Sequence, residues 1–365
     1  MKHVAIVIDS LTGGGAEKIV LTLANAMVEM GHKVTILSLS SNYDYILPED
    51  VKIDFLFKGR ASKVDRYWKV KNSINKLEKW FYETQQLSGK YDLILSNLDK
   101  SNNLLAKSTL KNNNNLFFIV HNSIEEELIR QKKLGPIAYY YLKSSKNNLS
   151  GKNLITVSKG LEKEIMQNSK IKPKSIRTIY NPFDFSVIQE QSNIANHNIP
   201  ETPYIIHVGR MARQKRHDIL FQAFKKVDHQ YKLVLLCNKP QKAIKLAKRY
   251  GIEERLILPG FQTNPYNWIK HAEILVLSSD YEGFGNVLVE ALAVGTKVVS
   301  TNCSHGPNEI LKDEHSNFLV PRRNANALSK ALDSSLATHL LNNDLDILAN
   351  VSAENIAKQY ISLCK

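Results

Sequence analysis

The segment YIIHVGRMARQK (204–215) opens a pattern that the chain has already used once. An apolar run of strand type feeds a glycine and a basic loop, and a helical pattern follows. Near the chain start, VAIVIDSLTGGGAEK (4–18) has the same plan, with a helix predicted from about Ala16 to Met30 and Gly31 at C′. After that first start come KVTILSLS (33–40), DLILSN (92–97), LFFIVHN (116–122) and NLITVS (153–158). These are near-continuous apolar runs of the parallel-sheet kind, interleaved with helices. After the second start come KLVLLCN (232–238), RLILPGF (255–261), EILVLSS (273–279) and KVVST (297–301). An alternation that completes itself and restarts predicts an α/β chain with two doubly wound, Rossmann-like sheets facing a cleft. The linker is placed in 178–203, which holds YNPFD, an Asn- and Gln-rich stretch and PETP. The halves are then 1–185 and 200–349, and VSAENIAKQYISL is a closing helix with Ser352 as N-cap. That helix, within 350–365, is expected to pack back on the first half.

With 365 residues, 43% of them hydrophobic, the chain can bury two cores. Its opening MKHVAIVIDS reads as a buried strand ending in Asp9, too short for the apolar region of a signal peptide. No window approaches the roughly 18 apolar residues of a membrane span. Cys237, Cys303 and Cys364 lie far apart without a metal-spaced pair, which predicts a reducing, cytoplasmic setting and argues against zinc. Net charge is +14 and uneven: residues 1–184 carry 28 Lys and Arg against 18 Asp and Glu, the remainder 21 against 17. The imbalance predicts an anionic partner for the first half: nucleic acid, anionic lipid or a phosphorylated substrate.

The glycines of GGGAEK (13–18) let backbone approach a ligand at a helix start that favours anions, and a plain tight turn accounts for them equally well. A dinucleotide site is disfavoured. Lys18 stands where the third glycine of G-x-G-x-x-G belongs, and the second strand ends in LSLSS without a ribose-binding acid. In GRMARQK (209–215), Arg210 and Lys215 are spaced to reach one phosphate group, although a solvated basic loop has the same composition.

In DYEGFGNVLVE (280–290), Asn286 is the expected N-cap of a helix ending at Gly295, and Glu282 is left in the preceding loop. Glu290 then falls in about the first turn, where a carboxylate complements the helix dipole by roughly 0.3–1 kcal/mol. The dipole explains neither Glu282 nor the pair Gly283 and Gly285, which together aim backbone N–H groups at an anion. Carboxylates accept from sugar hydroxyls and amides donate to phosphate, so the loop suits a nucleotide sugar.

These residues resemble the retaining glycosyltransferases of the two-Rossmann GT-B fold, specifically glycosyltransferase family 4. The match rests on E-x7-E with EGFG (282–290), GR…K (209–215), GGGAEK, VSKGL (157–161), YNPFD (180–184) and VVSTNCSHGPNEIL (298–311) with the following NFLVP. It covers nearly the whole chain. The resemblance implies that Glu282 approaches the transferred sugar and that Glu290 binds the ribose. It further implies that the amides around Gly283, Phe284, Gly285, Asn286 and Val287 hold sugar and diphosphate. Arg210 and Lys215 would neutralise the leaving diphosphate, with no metal and no cofactor beyond the nucleotide-sugar co-substrate. Gly14 and Gly15 would let the first half close over the phosphates, and His121 matches a histidine near the donor sugar. The chain departs from the common pattern at Lys297, where proline is usual, and at Asn317, where glycine is usual. His305, in the SHGPNE loop, is assigned to a structural turn.

The implied chemistry is front-face displacement with retention, the departing phosphate oxygen taking the acceptor proton. Asp9, Glu125 and Glu127 are set aside as bases, Asp9 as a strand end and the EEE run as a solvated helix start. Segment 60–79 holds seven basic and two acidic residues, with Tyr67, Val70, Ile74, Leu77 and then Phe81 at helical spacing. It is expected to be a basic amphipathic helix. Segment 130–174 has eleven basic and two acidic residues and the run YYY (139–141). The charge excess is assigned to an anionic membrane surface or a diphosphate-linked lipid, and no nucleic-acid motif appears. The expected activity is transfer of a UDP-linked hexose or N-acetylhexosamine to a lipid-linked or lipopolysaccharide-type glycan at the inner face of the cytoplasmic membrane. A sugar-nucleotide epimerase of the same fold and a non-catalytic nucleotide-sugar binder are the rival readings.

Overall fold

The apolar runs become the strands of two all-parallel sheets in the computed structural model, which describes residues 1–66, 68–167, 169–338 and 346–364. The chain divides into two units, Met1–Phe183 with Asn350–Lys365, and Asp184–Ala349.

The first unit contains β1 (His3–Ile8), β2 (Lys33–Ser40), β3 (Lys52–Phe57), β4 (Leu93–Asn97), β5 (Leu116–Val120), β6 (Asn153–Thr156) and β7 (Ser175–Thr178) in the order β3-β2-β1-β4-β5-β6-β7. Its helices are α1 (Gly15–Glu29), α2 (Lys69–Ser88), α3 (Asp99–Lys107), α4 (Ile124–Lys132), α5 (Pro136–Asn147) and α6 (Lys159–Gln167). The central strands β1, β4 and β5 are buried along their whole length, as expected for a sheet covered on both faces. One core joins Val7, Leu37, Ile94 and Phe118 to Leu77 and Phe81 of α2.

The second unit contains β8 (Tyr204–Val208), β9 (Lys232–Leu236), β10 (Leu256–Ile257), β11 (Ile274–Leu277), β12 (Lys297–Thr301) and β13 (Leu319–Val320) in the order β10-β9-β8-β11-β12-β13. Its helices are α7 (Phe185–Ser192), α8 (His217–Phe224), α9 (Pro240–Tyr250), α10 (Tyr266–Lys270), α11 (Asn286–Ala293), α12 (Pro307–Ile310) and α13 (Ala325–Ala337). Helix α14 (Asp346–Asn350) leads back toward the first unit. There α15 (Ala353–Ile361) packs on α1, with Ser352 capping it. Backbone bonds between Phe183 and both Val351 (2.9 Å) and Ala353 (2.8 Å) fasten the return.

In each unit the strand order reverses beside the first strand, between β1 and β4 and between β8 and β11. Loops leaving the carboxyl ends of such a pair diverge and leave a crevice, the ordinary ligand position of open α/β sheets.

Several expectations are corrected. The stretch 178–203 is not simply linker, because α7 forms within it, capped by Asp184 accepting from Val187 N–H at 3.0 Å. Only Leu256–Ile257 of RLILPGF pairs as strand. The basic helix begins at Lys69, with residues 60–66 in turns before it, and Tyr67 lies outside the described residues. Lys297 has a local role: its ammonium donates to the Ser335 and Thr338 carbonyls (2.8 and 3.2 Å) at the end of α13.

Candidate active site

The switch point of the second sheet brings together the two loops that the sequence singles out. Lys215 ends a short 3-10 turn (Arg213–Lys215) after β8, and Glu282 lies in the loop after β11. Because β8 and β11 are neighbours, residues 67 positions apart meet: Lys215 Nζ donates to Glu282 Oε1 at 2.7 Å. The Ser279 hydroxyl donates to the same oxygen at 2.5 Å. Glu282 is buried at 8% exposure, so its charge is offset by a real ion pair rather than by solvent. Lys215 still has two ammonium protons to offer.

A second set of contacts, not foreseen from the sequence, fixes these loops against each other. The Gln214 amide donates to Tyr281 O (2.6 Å), Asp280 N–H donates to Gln214 O (2.8 Å), and the Ser278 hydroxyl donates to Lys215 O (2.7 Å). Asp280 is the hub. Arg323 grips its carboxylate with two bonds (2.9 and 3.0 Å), Arg216 adds a third cationic contact (3.2 Å), and Arg322 donates to its carbonyl (2.6 Å). Arg216 also forks onto Asp218 (2.9 and 2.7 Å), and these partners push its pKa up.

Behind Lys215, His207 and His217 are buried with ring centroids 4.9 Å apart. His207 Nδ1–H donates to Val276 O at 2.8 Å. Burial lowers both pKa values, that of His217 to about 4, with the Lys215 charge pressing the same way. Both are neutral at pH 7, so the positive charge at this point is that of Lys215.

The glycine loop before α11 differs in detail from expectation. Gly285, in the left-handed region at φ +100°, takes the N-cap position, and Asn286 becomes the first helical residue instead of the cap. Glu290 is the fifth residue of α11 and is buried, so the first-turn dipole account does not apply to it. Phe284 is buried too, and Val287 half-buried. Gly306 of the SHGPNE loop packs on this backbone so closely that a Cβ there would lie 1.8 Å from Phe284 O. Arg210 leaves the end of β8 with an exposed side chain.

The first unit carries the remaining candidates. Gly14 is the extended N-cap of α1 and Gly15 its first residue. A Cβ on Gly14 would collide with the Glu17 carboxylate at 2.1 Å, so an acid of the chain itself already lies over this helix start. His121 follows β5, with Nε2 2.9 Å from Asn97 Oδ1 at the end of β4. Burial lowers its pKa to about 4, and the neutral ring directs one N–H to Asn97.

Asp9 accepts from the Lys100 and Ser101 N–H groups (3.1 and 2.8 Å) and the Ser101 hydroxyl (2.8 Å) at the start of α3. Glu127 is not solvated as expected: Lys146 holds it at 2.8 Å together with Asp99 at 2.6 Å. Glu164 holds the start of α4 through Ser123 and the Ile124 N–H (2.6 and 2.8 Å). Asp280, Arg216, Arg322 and Arg323 escaped sequence reasoning. The only local signal was an acid two positions before Glu282.

Residues 13–187 match the family described as Glycosyltransferase Family 4, and residues 189–349 the family described as Glycosyl transferases group 1. The chain is 28% identical to a Campylobacter jejuni protein, over 92% of this chain and 90% of that one. That protein is N-acetylgalactosamine-N,N'-diacetylbacillosaminyl-diphospho-undecaprenol 4-alpha-N-acetylgalactosaminyltransferase. Among solved structures, it resembles sucrose-phosphate synthase of Thermosynechococcus elongatus, with a TM-score of 0.74 at 19% identity over 100% and 95% of the two chains. It also resembles Anabaena HepE in complex with UDP-glucose, with a TM-score of 0.73 at 18% identity over 99% of each chain. Two consecutive family matches spanning nearly the whole chain, on a fold shared end to end with such enzymes, identify it as a GT-B glycosyltransferase of family 4.

Proposed function

We propose that this glycosyltransferase moves a hexose or N-acetylhexosamine from a UDP-linked donor onto a diphosphate-lipid-linked or lipopolysaccharide-type glycan, with retention and without a metal. The observation that carries the donor half is the Lys215–Glu282 pair, a cation and a buried carboxylate held 2.7 Å apart beside the start of α11. Lys215, with Arg210 on the same loop, neutralises the diphosphate. Glu282 accepts from the transferred sugar's hydroxyls, and the amides of residues 283–287 donate to sugar and diphosphate. Glu290 accepts from the ribose. For His121, Gly14 and Gly15 of the first unit, the assignment to the donor rests on the family resemblance.

In the reaction the acceptor hydroxyl attacks the anomeric carbon on the face that the diphosphate leaves. The carbon–oxygen bond to phosphate breaks as the one to the acceptor forms, and the acceptor proton passes to the departing phosphate oxygen. The protein positions the reactants and stabilises the charge; losing one preorganised donor of that general kind costs about 10²–10³ in kcat.

The name of the Campylobacter relative supports a polyprenol-diphosphate acceptor, and the +10 charge of residues 1–184 supports work at an anionic membrane surface. Among the described residues no helix is long and apolar enough to cross a membrane. The test is incubation with UDP-N-acetylhexosamine and a polyprenol-diphosphate-linked sugar, with the product's anomeric configuration read by NMR. An α-linked product from an α-linked donor, abolished by Glu282→Ala, is expected. Inversion, epimer formation without acceptor, or full activity in Glu282→Ala would each overturn the reading.

A further inference from the structure

Two basic segments of the first unit were candidates for the membrane side, and the structure separates them. On α2 the apolar stripe is used up inside the unit. Leu77 and Phe81 are in the core, with Val70 and Ile74 packed against it, and the apolar side chains left exposed are spread out, Trp68 just before the helix and Tyr82 and Leu87 in its second half. The hairpin of α4 and α5 is different. Its two helices pack together through a three-residue connection, and large apolar side chains gather on either side of that bend, facing solvent. Ile129 is 54% exposed, Leu134 68%, Ile137 78% and Tyr140 65%.

Charge marks the same end. From residue 128 to 143 the chain has Arg130, Lys132, Lys133 and Lys143 and no acid, and the first three are exposed. The acids of α4 sit in its opposite, first turn. The far end of the hairpin is anchored by the buried Lys146 ammonium on Asp99 and Glu127. Tyr141 adds to the anchorage by bonding to Asp65 through its hydroxyl, with Arg66 stacked 4.0 Å over its ring. A firmly tied base thus carries an apolar tip ringed by cations. Exposed apolar side chains gain only when something covers them, and a surrounding ring of cations selects a covering that is apolar in depth and anionic at its face.

We propose that the α4–α5 bend is the surface by which the enzyme seats on an anionic lipid bilayer, the four apolar side chains entering the interface and the four cations meeting lipid headgroups. The inference deepens the lipid-linked acceptor reading, since it names where the chain meets the membrane that carries such an acceptor.

The test is co-sedimentation of the full chain with vesicles of phosphatidylcholine alone and of phosphatidylcholine with phosphatidylglycerol. The wild type is expected to partition at least tenfold more strongly onto the anionic vesicles. The combined Ile129→Ser, Leu134→Ser, Ile137→Ser and Tyr140→Ser variant should lose at least tenfold of that, at an unchanged thermal midpoint. The α2 variant Lys71→Ser, Lys76→Ser, Lys79→Ser should stay within about threefold of wild type. Should the fourfold variant misfold, Leu134→Ser and Ile137→Ser singly should each lose about threefold. Equal partition onto the two vesicle types, unaltered binding of the tip variants, or loss confined to the α2 variant would overturn the proposal. Transfer to a short-chain, water-soluble acceptor is read in parallel and should be unchanged in the tip variants. If the wild type binds anionic vesicles through the tip yet transfers nothing, the enzymatic reading fails and the surface is upheld.

Discussion

At the switch point of the first sheet the acid that follows β1, Asp9, is taken up by three donors at the start of α3. At the corresponding place in the second sheet the loop after β8 contributes a cation, Lys215, and the loop after β11 answers with Glu282. The strand order around both points is the same. What differs is where the local charge ends. In the first unit it ends on two backbone N–H groups and a serine hydroxyl, which hold a helix in place. In the second it ends on a side-chain pair, while a separate acid, Asp280, does the holding through three arginines. One topology thus supplies either a fastened helix or a prepared charge pair, and the side chains at the two strand ends decide which.

The contrast is broken most directly by exchanging the charges. Lys215→Ala should lower the transfer rate at saturating donor by about 10²–10³, equivalent to about 2.7–4 kcal/mol of lost transition-state stabilisation. Asp9→Asn should alter it by less than about threefold. Equal losses in the two variants would show that Asp9 works in the chemistry and that the distinction is false.

A comparable effect, on stability, is expected at Gly306. Its φ is +89° and an added methyl would meet Phe284 O at 1.8 Å, so Gly306→Ala should cost on the order of 3 kcal/mol. Gly89 in the first unit has a similar φ, +84°, and nothing among the described residues lies within 4 Å of where its Cβ would sit. Gly89→Ala should therefore cost only about 1 kcal/mol. Urea midpoints of the two variants measure how tightly the glycine loop of the second unit is packed.

Much of this was legible in the sequence, for reasons that also explain what was not. β1, β4, β5, β8 and β11 are buried on both faces and therefore read as unbroken apolar runs. The edge strand β3, KIDFLF, is half-exposed, and β7 and β13 hold only four and two residues, too short for periodicity to register. The meeting of Lys215 and Glu282 was legible because each follows an apolar strand run, and the two strands are neighbours in the sheet. The Asp280 clamp was not, because Arg322 and Arg323 come from a distant stretch that only the folding of the second sheet brings near. Asn286 misled as an N-cap because cap propensity assumes an extended residue there, whereas Gly285 enters the left-handed region and takes the place.

That clamp gives the next prediction. Asp280→Asn keeps the shape but removes the charge that Arg216 and Arg323 share. The loop that aims Glu282 should loosen and kcat/KM fall by about tenfold, roughly 1.4 kcal/mol. Donor binding in the ground state should weaken less than the rate. Loss confined to donor affinity would make Asp280 a binding residue instead.

The smallest expected effect is a pH slope, and it separates the two units by sign. The Asp9 pKa is raised to about 6, mainly by burial, so its ionised form is disfavoured in the fold. Its contribution to stability is present below about pH 4 and is lost as pH rises through 6. His121 has its pKa lowered to about 4 by burial, as does His217, so theirs is present above pH 6.5 and is lost as pH falls through 4. Within the first unit the two trends oppose each other between pH 4 and 6, whereas His207 and His217 of the second unit both favour the neutral side. Removing Asp9 with Asp9→Asn should therefore steepen the rise of stability from pH 4 to 6, and His121→Gln should flatten it. Each change should amount to about 1 kcal/mol per pH unit across the window, read as urea midpoints at half-unit steps. The slope is diagnostic where the absolute stability is not, since both substitutions also remove hydrogen bonds that matter at every pH. A wild-type slope in Asp9→Asn would mean that Asp9 ionises as freely in the fold as in the unfolded chain, and that its three donors at α3 offset its burial.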